Sequence, residues 1–201
     1  MELTQSPASP FVRMAVVTAH EAGVIDDVTL TPVTTSPVNT APSVAAANPL
    51  GKIPVLTRSD GGAIYDSRVI CRYFNERGGA DLYPERRIWD VLTLEATGHG
   101  IAEAAVLMVY ERRVRPETEQ SDGWIEAQWG KATRALDALE ARWMSHLHDK
   151  VDAGQIAVAC ALGYIEFRHG NRDWRAGRPS LAAWMTRFAA RPSMVATRPE
   201  G

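Results

Sequence analysis

The stretch Asn48-Pro49-Leu50-Gly51-Lys52-Ile53-Pro54-Val55-Leu56 carries the strongest indication of the fold. Asp66-Ser67 follows it a short distance later in the chain. A turn that contains proline leads into a short apolar strand, Ile53 to Leu56. A polar turn and a second short strand, 63–65, come next. Asp66-Ser67 then stands where that strand ends and an apolar-periodic helix begins. The stretch therefore predicts strand, turn, strand and helix in succession.

The first third of the chain alternates predicted strands and helices. A strand starts at Glu2, a helix runs from Pro10 to Glu21, and a β-rich run spans 28–33 before a polar connection over 36–47. Together with the elements above, the order is β-α-β, a connection, then β-β-α, which is the thioredoxin-like order. We therefore expect an α/β domain over residues 1–77.

After Pro84 the apolar residues follow a helical period throughout. The region 86–115 predicts one long helix or a broken pair of helices. The next helix, 124–147, carries a strong apolar stripe, and two more helices follow it. The second domain, residues 84–201, is therefore predicted to be all-α.

Composition and charge exclude several classes of function. The net charge is -2 and the basic residues are scattered, which is not the footprint of a nucleic-acid-binding protein. The N-terminus lacks the features of a signal peptide, and no apolar run approaches the length of a bilayer span. Cys71 and Cys160 lie in helical patterns rather than in a disulfide framework. We expect a cytoplasmic protein that binds neither nucleic acid, nor membrane, nor metal.

The turn Ser6-Pro7-Ala8-Ser9-Pro10 leads from the first strand to the first helix. Pro10 suits the first helical position and Ser9 suits the N-cap, so a capped helix explains both residues. The same turn also suits a thiolate, because helix N-termini favour negative charge and a serine hydroxyl can donate to sulfur. Lowering a thiol pKa of ~8.5 by about two units requires only ~2.7 kcal/mol. Both interpretations are open on these residues alone.

In this order, Ser9-Pro10-Phe11, Ile53-Pro54 and Asp66-Ser67 resemble the glutathione-binding half of the glutathione S-transferase family. Later segments such as 154–161 resemble the second domain of its bacterial members, so the resemblance covers essentially the whole chain. It implies a thioredoxin-like domain followed by an all-α domain, with Ser9 as the catalytic residue and Ser6 as the alternative. The turn has no cysteine, which argues against chemistry that needs a protein thiolate.

The resemblance also implies a cradle for glutathione as co-substrate. Pro54 would follow a cis peptide bond, and the main chain of Ile53 would pair with the cysteine of the ligand. Asp66 would bind the γ-glutamyl ammonium and Ser67 its carboxylate, although both also fit an ordinary N-cap. Lys52 would approach the other carboxylate, unless it is simply a solvated loop residue. The implied glutathione-binding set is Phe11, Lys52, Ile53, Pro54, Asp66 and Ser67.

Two glycines flank His99 in the middle of the predicted long helix. Each costs up to ~1 kcal/mol relative to alanine, so Gly98 and Gly100 together indicate tight packing or a cleft wall. In the family this helix flanks the site for a small hydrophobic electrophile. The resemblance therefore implies that His99, Glu103 and Val106 line that pocket. A structural histidine at a helix break is the alternative for His99.

The expected function is that of a cytosolic glutathione transferase, which conjugates activated glutathione to a small electrophile or uses it to reduce one, without a covalent enzyme intermediate. One alternative is a non-catalytic ligand-binding or regulatory protein of the same fold, and another is a glutathione-dependent isomerase. Zeta-type isomerases have a turn similar to Ser-Ser-Cys, which 6–9 does not match. The family also implies a two-fold homodimer with the helices 67–75 and 86–112 at its interface.

Overall fold

The computed structural model describes residues 1–199, which form a small sheet flanked by helices and a larger helical unit. The elements are β1 (Glu2–Gln5), α1 (Pro10–Glu21), β2 (Thr29–Pro32), α2 (Pro42–Ala47), β3 (Val55–Thr57), α3 (Ser67–Gly78), α4 (Ile88–Val114), α5 (Asp122–Ala138), α6 (Met144–Leu147), α7 (Ala153–Arg168), α8 (Pro179–Phe188) and α9 (Pro192–Ala196). The helix α3 ends at Gly78, and helical structure resumes with a 3₁₀ turn at Glu85–Arg87.

The sheet has the strand order β2-β1-β3. The strand β1 is parallel to β2, with Leu3 opposite Leu30, and antiparallel to β3, with Leu3 opposite Leu56. A parallel pair needs a crossover, which α1 supplies. The predicted strand at 63–65 is reduced to a single bridge between Leu56 and Ile64, because the chain must start capping α3 at once. The thioredoxin-like order of the first domain is confirmed.

Local signals place α1 where the sequence predicts it. The helix begins at Pro10 behind the Ser9 cap and ends at Glu21. The polar connection, by contrast, contains a short helix, α2, which the sequence analysis did not predict. Pro42 starts α2 and Val44 is its buried residue, so packing of one side chain orders this segment.

The second domain is helical throughout its described part. The region predicted as one helix or two is a single helix, α4, and it packs against α7, which is buried over almost its whole length. A Cβ atom at Gly98 would lie 2.5 Å from the carbonyl carbon of Ala157 in α7, whereas nothing lies within 4 Å of one at Gly100. The tight packing predicted for this pair of glycines therefore applies to Gly98.

The predicted helix 124–147 departs from regular α geometry near its end. After α5 the chain makes a π-helical turn at Leu139–Trp143 and then continues as α6. A π turn contains more residues than an α turn, so the register of the apolar stripe changes there. Leu139 is fully buried, while Trp143 at the end of the stripe is only partly buried.

Polar contacts join the first domain to the C-terminal helices. Arg13 of α1 is buried and donates to the Met194 carbonyl at 3.1 Å and to Thr197 Oγ1 at 3.3 Å. The carboxylate of Glu21 accepts from the Arg191 guanidinium at 2.7 Å and 2.9 Å. These bonds fix α1, and with it the turn at Ser9, against the second domain.

Cys71 and Cys160 are both free and buried, as predicted. Among the helices of residues 1–199, none has both the length and the apolar character that a membrane span requires.

Candidate functional site

Ser9 caps α1 and keeps a donor available. Its Oγ accepts a hydrogen bond from the Val12 N–H at 3.3 Å, and its own N–H donates to the Ser6 carbonyl at 3.0 Å. Because the Oγ acts as acceptor toward Val12, the hydroxyl proton remains available for a group outside the helix. The N-terminus of α1 also carries partial positive charge. The capped helix and a site suited to an anion therefore coexist in this turn.

The Ile53–Pro54 peptide bond is cis, as the resemblance implied. The ladder between β1 and β3 begins at Val55, opposite Thr4. The main-chain N–H and C=O of Ile53 therefore lie beyond the last pair of the ladder. Pro54 is buried, whereas the side chain of Lys52 is exposed. Ile53 thus stands at a strand end where an extended ligand backbone can add to the sheet.

Asn48 organises the turn before Ile53, a role that the sequence analysis did not assign. Its Oδ1 accepts from the Leu50 N–H at 2.9 Å, and its Nδ2 donates to the Lys52 carbonyl at 2.8 Å. Gly51 has φ +65°, in the left-handed region that favours glycine. The Asn-Pro-x-Gly pattern was the available signal, since asparagine and glycine are typical turn residues.

Asp66 is the N-cap of α3 and is paired with Arg68. Its Oδ1 accepts from the Arg68 N–H at 3.0 Å, and its Oδ2 accepts from the Arg68 guanidinium at 3.0 Å. Partial burial opposes ionisation, but the bonds and charge of Arg68 hold the pKa of Asp66 below its usual value. Asp66 is therefore an ionised, half-exposed carboxylate. The sequence analysis gave Arg68 no part in the site, although its place two residues after the cap was a local signal.

His99 reaches from α4 to the start of α3. Its Nε2 lies 3.0 Å from Ser67 Oγ, and its ring centroid lies 5.2 Å from that of Phe11. Ser67 is only 1% exposed. Burial, together with the nearby Arg68 charge, lowers the pKa of His99 to about 4, so the imidazole is neutral near pH 7. The structure thus brings His99 to two residues of the implied glutathione-binding set.

The other two residues implied for the electrophile pocket lie in different surroundings. Val106 is partly buried and packs against the core. Glu103 is exposed and lines a groove of about 460 Å³ between α4 and α5, together with Trp124 and Lys131. The structure therefore does not place Glu103 beside Ser67 and Phe11, where His99 lies.

A buried acidic residue, Glu95, lies one helical turn before His99 and was missed by the sequence analysis. Its Oε1 accepts from the Tyr83 hydroxyl at 2.6 Å, and burial raises its pKa. Nothing in the sequence indicated this pair, because Tyr83 lies outside the helix that carries Glu95.

Within residues 1–199, no group of three or more His, Cys, Asp or Glu side chains is arranged to hold a metal ion.

The fold and the family comparisons agree. The fold defines a class of protein with an N-terminal thioredoxin-like domain and an all-α second domain. The family model described as "Glutathione S-transferase, N-terminal domain" matches residues 8–77, and that described as "Glutathione S-transferase, C-terminal domain" matches residues 122–187. The chain belongs to the glutathione S-transferase family.

Several proteins are similar to this chain over nearly its whole length. The "Uncharacterized GST-like protein YibF" of Escherichia coli K12 is 33% identical, over 99% of this chain and 98% of that protein. "Glutathione S-transferase 3" of Zea mays is 26% identical, over 98% and 92%. A crystal structure of a glutathione transferase family member from Pseudomonas fluorescens Pf-5, with bound glutathione, shares 42% identity and a TM-score of 0.96. That match covers 100% of this chain and 99% of the Pseudomonas chain.

Proposed function

We propose that this protein is a cytoplasmic glutathione transferase in which Ser9 stabilises the glutathione thiolate. The observation that carries the proposal is the Ser9 hydroxyl, whose oxygen is held by the Val12 N–H and whose proton is free to donate at a helix N-terminus. The glutathione bound to the 42%-identical Pseudomonas protein supports the choice of thiol.

In the proposed reaction the thiol proton passes to solvent and the thiolate sulfur attacks an electrophilic carbon. A carbon–sulfur bond forms while a leaving group departs or a double bond takes up a proton. The Ser9 hydroxyl donates to the sulfur throughout the thiolate stage, so no covalent bond to the enzyme forms. Rate enhancement then comes from the lowered thiol pKa and from proximity of the two substrates.

The proposal is tested by retention on immobilised glutathione and by conjugation of an activated aryl halide. We expect both. Retention without any conjugate, across several classes of electrophile, would favour the non-catalytic alternative. Retention with isomerisation of an unsaturated acid and no conjugate would favour the isomerase.

The other residues of the proposed glutathione site and electrophile pocket take their roles from where they lie in the fold. The main chain of Ile53, after which Pro54 turns the chain, would pair with the cysteinyl backbone of glutathione. Asp66 would hold the γ-glutamyl ammonium and Ser67 its carboxylate at the start of α3. Lys52, exposed on the loop, would face the glycyl carboxylate. Phe11 and Val106 would supply apolar surface beside the sulfur, whereas Glu103 lines the groove between α4 and α5 and is given no contact with glutathione.

If Asp66 binds the ammonium group, Asp66→Ala should weaken glutathione binding tenfold or more, or about 1.4 kcal/mol. The matched control is Asp66→Asn, because asparagine caps a helix about as well as aspartate but carries no charge. Calorimetry should show that both variants lose affinity, while only the alanine variant loses the ~1 kcal/mol of a helix cap in urea unfolding. Wild-type affinity in Asp66→Asn would mean that Asp66 is a cap and nothing more.

We also propose a two-fold homodimer that buries the start of α4 and the outer face of α3. Trp89 at the start of α4 is 78% exposed and Val69 on α3 is 47% exposed. Tryptophan is enriched at protein interfaces, so the exposed Trp89 supports an interface at this surface.

Trp89→Ser should convert the dimer to a monomer because it removes the largest exposed apolar side chain of this surface. Sedimentation at micromolar concentration should give twice the 22.0 kDa chain mass for the wild type and the chain mass for the variant. The control is Val38→Ser, which changes a similarly exposed apolar residue before α2 and should leave the protein dimeric. A monomeric wild type that binds glutathione fully would contradict the proposal.

A further inference from the structure

His99, on α4 of the second domain, contacts Ser67, the residue to which the proposed function assigns the γ-glutamyl carboxylate. We propose that His99 is a positioning residue for glutathione: its Nε2–H donates to Ser67 Oγ and thereby directs the Ser67 hydroxyl proton at the γ-glutamyl carboxylate. This inference rests on the proposed function. It assigns His99 to glutathione binding and not to the electrophile pocket.

The direction of the hydrogen bond follows from the groups that share it. A neutral imidazole carries one N–H, and a serine hydroxyl has one proton to donate and two lone pairs to accept with. A carboxylate of glutathione can only accept. If Ser67 gave its proton to His99, its hydroxyl would have none for the ligand. With glutathione bound, the 3.0 Å contact must therefore run from Nε2–H to Oγ.

The Ser67 hydroxyl is buried, so its orientation depends on protein groups and not on solvent. Ser67 is only 1% exposed, so bulk water has little access to its hydroxyl and cannot readily reorient it. Polar groups in such surroundings are costly to leave without a partner. The imidazole of His99 is therefore the group that sets the direction of the hydroxyl before the ligand arrives.

The imidazole is itself held in place from two sides. Its ring packs against Phe11, with the centroids 5.2 Å apart. The preceding residue, Gly98, lies so close to the backbone of Ala157 that α4 cannot approach or rotate freely there. The ring position is therefore fixed by packing in both domains, which is what a positioning residue requires.

Two substitutions separate the hydrogen bond from the packing. His99→Phe keeps an aromatic ring against Phe11 but has no donor, whereas His99→Gln keeps an N–H near the place of Nε2. Calorimetry with glutathione should show about tenfold weaker binding for His99→Phe, the scale of one lost hydrogen bond, and at least partial recovery in His99→Gln. The loss should appear in the KM for glutathione and not in kcat, because Ser9 is untouched.

Ser67→Ala provides the coupling test. Once Ser67 has no hydroxyl, His99→Phe should cause no further loss, so the two substitutions should be strongly non-additive. Nitrogen-15 NMR of the glutathione complex of the wild type, which needs no substitution, should show a neutral His99 protonated at Nε2.

Three results would overturn the inference while leaving the proposed function intact. They are unchanged or tighter binding in His99→Phe, an equal loss with and without Ser67, and a His99 protonated at Nδ1 alone in the complex. Tighter binding would mean that the imidazole covers Ser67 rather than orienting it. Failure of the wild type to bind glutathione is a different outcome, because it would remove the proposed function and this inference together.

Discussion

Ser9→Ala is expected to slow conjugation at saturating glutathione by about 10- to 100-fold, the scale of one lost charge-assisted hydrogen bond. The hydroxyl oxygen is already held by the Val12 N–H, so the proton that the substitution removes is the one available to the thiolate. The pKa of the bound thiol should rise by about one to two units, since each unit corresponds to ~1.36 kcal/mol. Glutathione affinity should change little, because the cradle residues lie elsewhere.

Two controls make the Ser9 result interpretable. Ser9→Thr keeps a hydroxyl and a helix cap and should retain much of the rate. Ser6→Ala tests the alternative serine of the same turn and should be active. Loss of the cap in Ser9→Ala costs about 1 kcal/mol of stability, so rates must be measured well below the melting temperature. A fully active Ser9→Ala with an inactive Ser6→Ala would transfer the role to Ser6.

Gly98→Ala is expected to lower the free energy of unfolding by about 3 kcal/mol, at the upper end of overpacking effects. The new Cβ would lie 2.5 Å from the Ala157 carbonyl carbon and 2.6 Å from the Val158 nitrogen. Both are backbone atoms of the buried helix α7, so no side-chain rotation can relieve the contact. Urea unfolding followed by circular dichroism measures the change.

Gly100→Ala is the matched control two residues away in the same helix. Nothing lies within 4 Å of a Cβ at this position, so the substitution should stabilise the protein by up to ~1 kcal/mol through helix propensity. Equal stability of the two alanine variants would contradict the close packing of α4 on α7. A selective loss in Gly98→Ala would confirm it.

Much of the fold was predictable because its signals are local. Pro10 and the Ser9 cap define the start of α1, and Asp66 defines the start of α3. The single bridge at Ile64 and the short helix α2 differ from the prediction. The pairing at Ile64 is limited to one bridge because Asp66 begins to cap α3 two residues later. The helix α2 depends on the burial of Val44 against the rest of the molecule.

The candidate site also contains residues that local sequence signals predict and one contact that they do not. Ser9, Pro54 and Asp66 stand in turns whose residue types restrict the backbone, so their positions follow from the sequence. The contact between Ser67 and His99 joins residues 32 positions apart on two domains. Helical periodicity places His99 on one face of α4 but does not say which element that face meets. Only the three-dimensional arrangement shows that His99 contacts Ser67, and this contact is the reason for assigning His99 to glutathione binding.

We propose that the turn at Ser9 stabilises a glutathione thiolate. Ultraviolet difference titration of glutathione bound to the wild-type protein tests it most directly, with calorimetry to establish saturation. We predict that the bound thiol ionises about two units below the ~8.5 of an ordinary thiol. A bound thiol that titrates like free glutathione would show that the turn at Ser9 does not stabilise the thiolate.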